Sequence, residues 1–428
     1  MTTLIFQISG VWLLSILAGF PLFASMGLAA FAFVLIGDLS ASIVPQKMAQ
    51  AMNSFPIVAA PLFILMGNIL GAARITDRIV AFATAVIGWL RGGYAHASIL
   101  TSMIFAGMVG SAVADAAGSG AIEIRAMKKA GYRPETAAAI TAAAATIGPI
   151  IPPSLPMVIY GVSADVSIGR LFIGGVIPGI LMGLSLMAMV MVISKRQGFR
   201  KEPFKGFREI GRTFLKGFFA LMTPPLILGG MFSGAFTPTE AAAVACLYAL
   251  FLGFFVYRTL EVKQLGPILV DTVETTGLVT VLVMAAGALG WCMSISRVPQ
   301  TLTPLIVATI KDPLVFLLVC NLILLVVGCF MEALAAMLIL IPILVPAALS
   351  FGIDPVQFGI IMILNLILGT IHPPIGVVLF VVTRIANVSF ETMSKAILPW
   401  LVPLLVVLAM ITLWPPLTTW LPNHVMGP

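Results

Sequence analysis

Gly148-Pro149-Ile150-Ile151-Pro152-Pro153 and Gly369-Thr370-Ile371-His372-Pro373-Pro374 share the pattern G-x-I-x-P-P and lie 221 positions apart. Each proline doublet interrupts an apolar segment, 136–163 or 356–382, that would otherwise read as one helix. A proline inside a helix removes a hydrogen bond and clashes with the preceding turn, at a cost of about 3 kcal/mol. The same shift carries Gly107 onto Gly328, Gly131 onto Gly352, Pro134 onto Pro355 and Pro178 onto Pro399. Constant spacing over that distance reads as an internal duplication whose two copies are broken at the same place.

The solvent for these segments follows from composition. The chain has 428 residues, of which 60% are hydrophobic and 9% charged, whereas a soluble domain carries about 25% charged residues. So little charge would leave large apolar patches in water; lipid removes that problem. A span needs roughly 20 apolar residues, and the apolar stretches here supply about ten to twelve such elements. The expected fold is an all-α polytopic membrane protein. No basic residue precedes Lys47, so the apolar stretch 4–37 reads as a helix pair or broken helix and not as a secretory signal. Cys246, Cys292, Cys320 and Cys329 lie in apolar surroundings without CxxC spacing and read as small buried hydrophobes.

Orientation follows from lysine and arginine, which concentrate in short cytoplasmic loops. The run 195–216 holds eight basic residues against Glu202 and Glu209 and is placed in the cytoplasm. It divides the chain into a first half, 1–194 with repeat core 95–193, and a second, 217–428 with repeat core 313–416. As a solvated basic linker near anionic headgroups it needs no further role; nothing in it supports nucleic-acid binding. The turn before Pro134 carries Arg125, Lys128, Lys129 and Arg133, while its counterpart before Pro355 has only Asp354. Further on the imbalance reverses, with Arg384 and Lys395 in the second copy. The copies are therefore expected to face opposite ways, as an inverted-topology repeat, with the C-terminus outside.

Lipid does not solvate bare amide or carbonyl groups, so two broken helices must surround protein or a cavity. Two similar halves of opposite orientation also give two nearly mirror-related states, which a carrier needs and a passive span does not. The carbonyls and hydroxyls near the breaks are the expected ligands of a small cation: Thr146, Gly148, Pro149, Ile150 and Ser154 in the first copy, Asn365, Gly369 and Thr370 in the second. Pro152, Pro153, His372, Pro373 and Pro374 join Ser111, Asp115, Ser119 and Glu332 as candidates for substrate contact or gating. Ionised groups in spans are costly and mark function, although Asp115 and Glu332 also fit structural hydrogen bonds or caps. Glu240, after Thr237-Pro238-Thr239, reads as the first turn of a helix. There is no H-E-x-x-H, G-x-S-x-G or Walker loop, so no enzyme reading competes.

Ser111–Gly120, Gly131–Gly161 with TAAAATIGPIIPPSLPMVIYG, Phe232–Leu247 with FSGAFTPTEAAAVACL, and Phe351–Gly376 with FGIDPVQFGIIMILNLILGTIHPPIG together resemble the large permease (M) subunit of TRAP transporters, the tripartite ATP-independent periplasmic family. The resemblance covers nearly the whole chain. It implies a multi-pass protein of the bacterial inner membrane with re-entrant hairpins, broken helices and an elevator-type transport domain. It further implies sodium-driven import of a small organic anion, with Na+ as coupling ion and no tightly bound cofactor. The implied partners are a periplasmic binding protein and a small four-helix membrane subunit. One departure is Ile367, where many relatives carry an acid in an Asn-Leu-Glu-x-Gly pattern. A proton-coupled or facilitative organic-anion carrier is the alternative; an ion channel or a non-transporting scaffold belongs to a different class.

Overall fold

The computed structural model describes residues 2–199, 201 and 203–427. Arg200 and Glu202, two charges of the basic run, lie outside the described residues. Among the described residues the chain forms 22 α-helices, and its only β pairing is an isolated bridge between Arg91 and Lys201. Six helices are long and apolar enough to cross a bilayer: Ile168–Arg196, Pro238–Val256, Val262–Ile295, Pro313–Phe330, Ala333–Ser350 and Phe390–Leu413. Two bent pairs, Ile43–Ala51 with Pro56–Ala72 and Phe207–Leu221 with Thr223–Phe232, raise the number to eight if each is one span. Ten to twelve elements are reached only by adding short apolar helices such as Leu155–Ala164, Pro355–Gly369 and Val377–Ala386. Helices this short rise about 15–22 Å and do not cross alone; they work in pairs.

The run 195–216 is helical at both ends. Lys195 and Arg196 close the helix Ile168–Gln197, where cations complement the negative end of the dipole. Arg208, Arg212 and Lys216 sit on Phe207–Leu221 beside exposed Phe207 and Leu215, a composition suited to a bilayer interface. Between them, none of the described residues 198, 199, 201 and 203–206 is helical.

The offset of 221 residues recurs in helix starts, caps and turns. Helices start at Ala112 and Ala333, and again at Pro134 and Pro355, with the same offset as the sequence motif. Ser111 caps the first of these by accepting from Ala114 N at 3.4 Å, and Glu332 caps its counterpart from Ala335 N at 3.0 Å. Gly131 and Gly352 both turn the chain at positive φ, 88° and 70°, a conformation that favours glycine. The Pro152-Pro153 and Pro373-Pro374 bonds are both cis. The copies differ at Gly118, which divides Ala112–Ala117 from Ser119–Lys129, whereas Ala333–Ser350 is continuous.

Two contacts fix how the broken segments lie. Lys128 Nζ, just before the first broken segment, donates at 3.2 Å to the carbonyl of Ala386, which ends the second. Tyr160 OH, in the closing helix of the first, donates at 3.0 Å to the carbonyl of Pro355, which opens the second. Start meets end at both extremities, so the two segments run antiparallel. They also occupy the core. Thr136–Ala145 and Val356–Gly369 are buried on every face, as expected of helices with no polar side to present. The alanine run of the first lets neighbouring backbones approach closely.

Candidate functional site

The first break, Thr146–Ser154, is wrapped by protein. Thr146 Oγ donates to Ala143 O at 2.6 Å, and Ser154 Oγ donates to Pro149 O at 2.5 Å while accepting from Met157 N at 3.3 Å. These hydroxyls cover the ends of the two half-helices Pro134–Ala145 and Leu155–Ala164. The helix Gly93–Val109 and the segment 112–129, interrupted at Gly118, are the two arms of a first hairpin, and Pro313–Phe330 with Ala333–Ser350 form its second-copy counterpart. The break abuts the first hairpin's tip at Gly110-Ser111, where Gly110 adopts φ 61° with the carbonyl of Pro153 packed against it. Gly148 lies beside the backbone of Ser111. Thr146 and Gly148 present carbonyl oxygens that accept no backbone hydrogen bond among the described residues. Hard carbonyl and hydroxyl oxygens of this kind suit a small monovalent cation.

The second break is organised around the matched glycines. Gly328 and Gly369 pack backbone to backbone, so closely that a Cβ on Gly369 would collide with Gly328. One turn earlier, Asn365 Nδ2 donates to Asn321 Oδ1 at 2.8 Å, and Asn321 Nδ2 donates to Thr412 Oγ1 at 2.9 Å. Thr370 Oγ donates to Ile367 O at 2.6 Å. His372 Nδ1 lies 2.5 Å from Pro373 O and 3.3 Å from Cys329 Sγ, a neighbour distant in sequence. Pro374 and Ile375 are exposed, whereas their counterparts Pro153 and Ser154 are buried. The two breaks therefore sit in different surroundings, each against the hairpin of its own copy.

A cavity of about 580 Å³ opens on the first hairpin and is lined by Asn68, Arg74, Asp77, Ser111, Arg125 and Thr275, with Phe105, Ile122 and Leu155 as apolar wall. Asn68 is held by a 2.9 Å hydrogen bond to Thr272 on the long helix Val262–Ile295. Arg74 turns at φ 51° immediately before Ile75–Ile87. Arg125 is steadied by a 2.9 Å bond from Nε to Ala121 O, leaving its terminal nitrogens for other partners. Of the candidates read from sequence, Ser111 lines this cavity, while the second-copy residues Glu332, His372, Pro373 and Pro374 do not. The two arginines escaped the sequence reading because they lie in different elements and converge only in the fold.

Asp115 and Ser119 sit on the other side of the same hairpin arm. Ser119 Oγ donates to Asp115 Oδ1 at 2.5 Å, and Ser98 Oγ donates to Glu123 Oε2 at 2.5 Å. Asp115 and Glu123 are 2% and 4% exposed, too little for water to solvate a charge. Glu240 completes a capping box with Thr237: Thr237 N donates to Glu240 Oε2 at 2.8 Å and Glu240 N to Thr237 Oγ at 3.3 Å. All four cysteines are free and buried, and no group of three or more His, Cys, Asp or Glu that could hold a metal occurs among the described residues.

The profile of a family described as "Tripartite ATP-independent periplasmic transporter, DctM component" matches residues 10–417. The sialic acid TRAP transporter large permease protein SiaM of Vibrio cholerae is 43% identical over 97% of this chain and 98% of its own. The sialic acid TRAP transporter permease protein SiaT of Haemophilus influenzae is 39% identical over 96% of this chain but 67% of its own, so this chain spans about two thirds of it. Among solved structures, the YdaH transporter of Alcanivorax borkumensis superposes with a TM-score of 0.63 at 15% identity, covering 87% of this chain and 88% of that one. That last likeness is one of fold.

Proposed function

Since the chain belongs to the DctM component family of tripartite ATP-independent periplasmic transporters, we propose that it imports a small carboxylate handed over by a periplasmic binding protein and driven by a sodium gradient. The observation that carries the substrate class is the cavity of about 580 Å³ in which Arg74 and Arg125 meet Ser111 and Asn68. Guanidinium groups recognise carboxylates through paired, charge-assisted hydrogen bonds. The size falls within the range of small-molecule sites and admits a sugar acid as well as a shorter dicarboxylate.

Sodium is assigned to the two breaks. Their oxygens are carbonyls and hydroxyls, with Thr146, Gly148, Pro149, Ile150 and Ser154 grouped in one and Asn365, Gly369 and Thr370 in the other. The antiparallel setting of the two segments supports alternating access in which the hairpin domain moves as a unit against the remaining helices. A small four-helix membrane subunit completes the assembly in the inner membrane, with the basic run 195–216 on the cytoplasmic side.

The test is reconstitution of the chain with its small subunit in liposomes, the binding protein outside. An inward sodium gradient should accumulate the carboxylate above its external concentration. Uptake that persists without the gradient, or without the binding protein, refutes the reading. Dissipation of a preformed substrate gradient by the chain alone, with no accumulation under any ion gradient, would mark a facilitative carrier or a channel instead.

A further inference from the structure

The first hairpin carries two chemically distinct faces on one arm. Ser111, Ala114, Gly118, Ile122 and Arg125 look into the cavity. Asp115, Ser119 and Glu123, spaced four apart, face away from it into protein. Each carboxylate accepts one serine hydroxyl and keeps one oxygen without a partner, Asp115 Oδ2 and Glu123 Oε1. Asp115 and Glu123 flank Ser119 on this face, near enough for their charges to repel, and Ser98 reaches Glu123 from the facing helix Gly93–Val109. Thr141, 1% exposed, packs against Gly120 in the same interface and also leaves its hydroxyl unpartnered.

Two bare carboxylates cannot share such a place. A buried charge without a counter-ion costs several kcal/mol, and like charges nearby add to it. The titratable groups on the surrounding elements supply no counter-charge. Arg125 and Asp77 line the cavity on the opposite face, and Lys128 is bonded to Ala386 O. Arg78 lies over the Tyr257 ring. Arg384 and Lys129 are exposed, and Tyr94 and Glu135 are half-buried and bring no positive charge. His96 is buried on the helix that carries Ser98, with both ring nitrogens unpartnered.

We propose that Asp115 and Glu123 form a proton-binding site of the first hairpin, holding at least one proton on their unpartnered oxygens, and that this proton is released when the hairpin arms part. The backbone is built for such a linkage: the helix is interrupted at Gly118, between Asp115 and Ser119, where φ is −82° and ψ −84°. Ala114 and Gly118, which line the cavity beside this interruption, are both small. A proton bound in the closed arrangement neutralises the pair. Parting of the arms admits water, the proton leaves to it, and the charged carboxylates are then solvated. This site is separate from the sodium assignment, and the spectroscopic test of proton binding does not require transport to be sodium-driven; only the test of the release step rests on that reading.

The measurement is infrared difference spectroscopy of the full chain reconstituted in lipid, in the carbonyl-stretch region of undissociated carboxylic acids. Wild type at neutral pH should show a band that exchanges slowly into D₂O, and that band should be missing in the Asp115→Asn/Glu123→Gln double variant. Absence of the band in wild type overturns the proposal whatever the variants do, as does its full retention in the double variant. The linkage is read separately, as the pH dependence of uptake at a fixed sodium gradient. Glu123→Gln should flatten a dependence that wild type shows; identical profiles in the two proteins reduce the pair to a static structural acid and overturn the release step.

Discussion

The backbone contact between Gly328 and Gly369 makes a sharp prediction about single methyl groups. A Cβ on Gly369 would fall on the main chain of Gly328, and restoring ordinary contact at 3.4 Å requires the helices Pro313–Phe330 and Pro355–Gly369 to separate by about 1 Å. No flexible side chain is available to yield, so the helices themselves must move. The Asn365–Asn321 hydrogen bond spans the same two helices at 2.8 Å, and a separation of that size takes it beyond bonding distance. Overpacking costs about 1–3 kcal/mol, and a broken buried amide bond about 1–3 kcal/mol more. The matched glycine of the first copy is different: a Cβ on Gly148 meets Ala145 O at 3.3 Å and Ser111 at 3.8 Å, which a small adjustment relieves. Gly369→Ala should therefore lower thermal stability in detergent by several degrees and abolish sodium-driven uptake, while Gly148→Ala stays near wild type in stability. Equal behaviour of the two variants, or a Gly369→Ala protein with wild-type stability, would refute the close-contact reasoning.

Three further outcomes are expected. Arg125→Gln should raise the KM for the carboxylate about ten- to hundredfold, the worth of one charge-assisted hydrogen bond, with Arg125→Lys in between and membrane insertion unchanged; uptake titrations decide it. Thr237→Ala removes half of the capping box at Pro238–Phe251 and should cost about 1 kcal/mol of stability, read by thermal denaturation, with KM unaltered because the cap does not line the cavity. Gly110→Ala combines φ 61° with a Cβ placed 2.8 Å from Pro153 O; it should uncouple the hairpin tip from the first break and be seen as lost uptake by a protein that still reaches the membrane.

The parts of this molecule written in backbone chemistry were legible in its sequence, and the parts written in convergence were not. Paired prolines and glycines at one offset dictate where helices must start, turn and break, and the offset holds for the helices beginning at Ala112 and Ala333 and at Pro134 and Pro355. The Thr237–Glu240 cap was equally readable, because a cap is satisfied within one turn. Arg74 and Arg125 were out of reach: each reads as an ordinary loop or helix-end cation until the fold brings both to one cavity. Length misled in a physical way too, since half-helices are as apolar as spans although they cross nothing alone. The acid pair is the instructive case. Asp115, Ser119 and Glu123 repeat at four-residue spacing, which on an unbroken helix places all three on one face. Glycines on either side of Ser119 argue against an unbroken helix, and Glu123 beside Arg125 reads as the edge of a charged turn. Only the packing of Ser98 against Glu123 shows that the face points inward. A period of four through small residues, ending in acids at both extremities, is thus a signal worth reading as a buried face even where glycines argue for a loop.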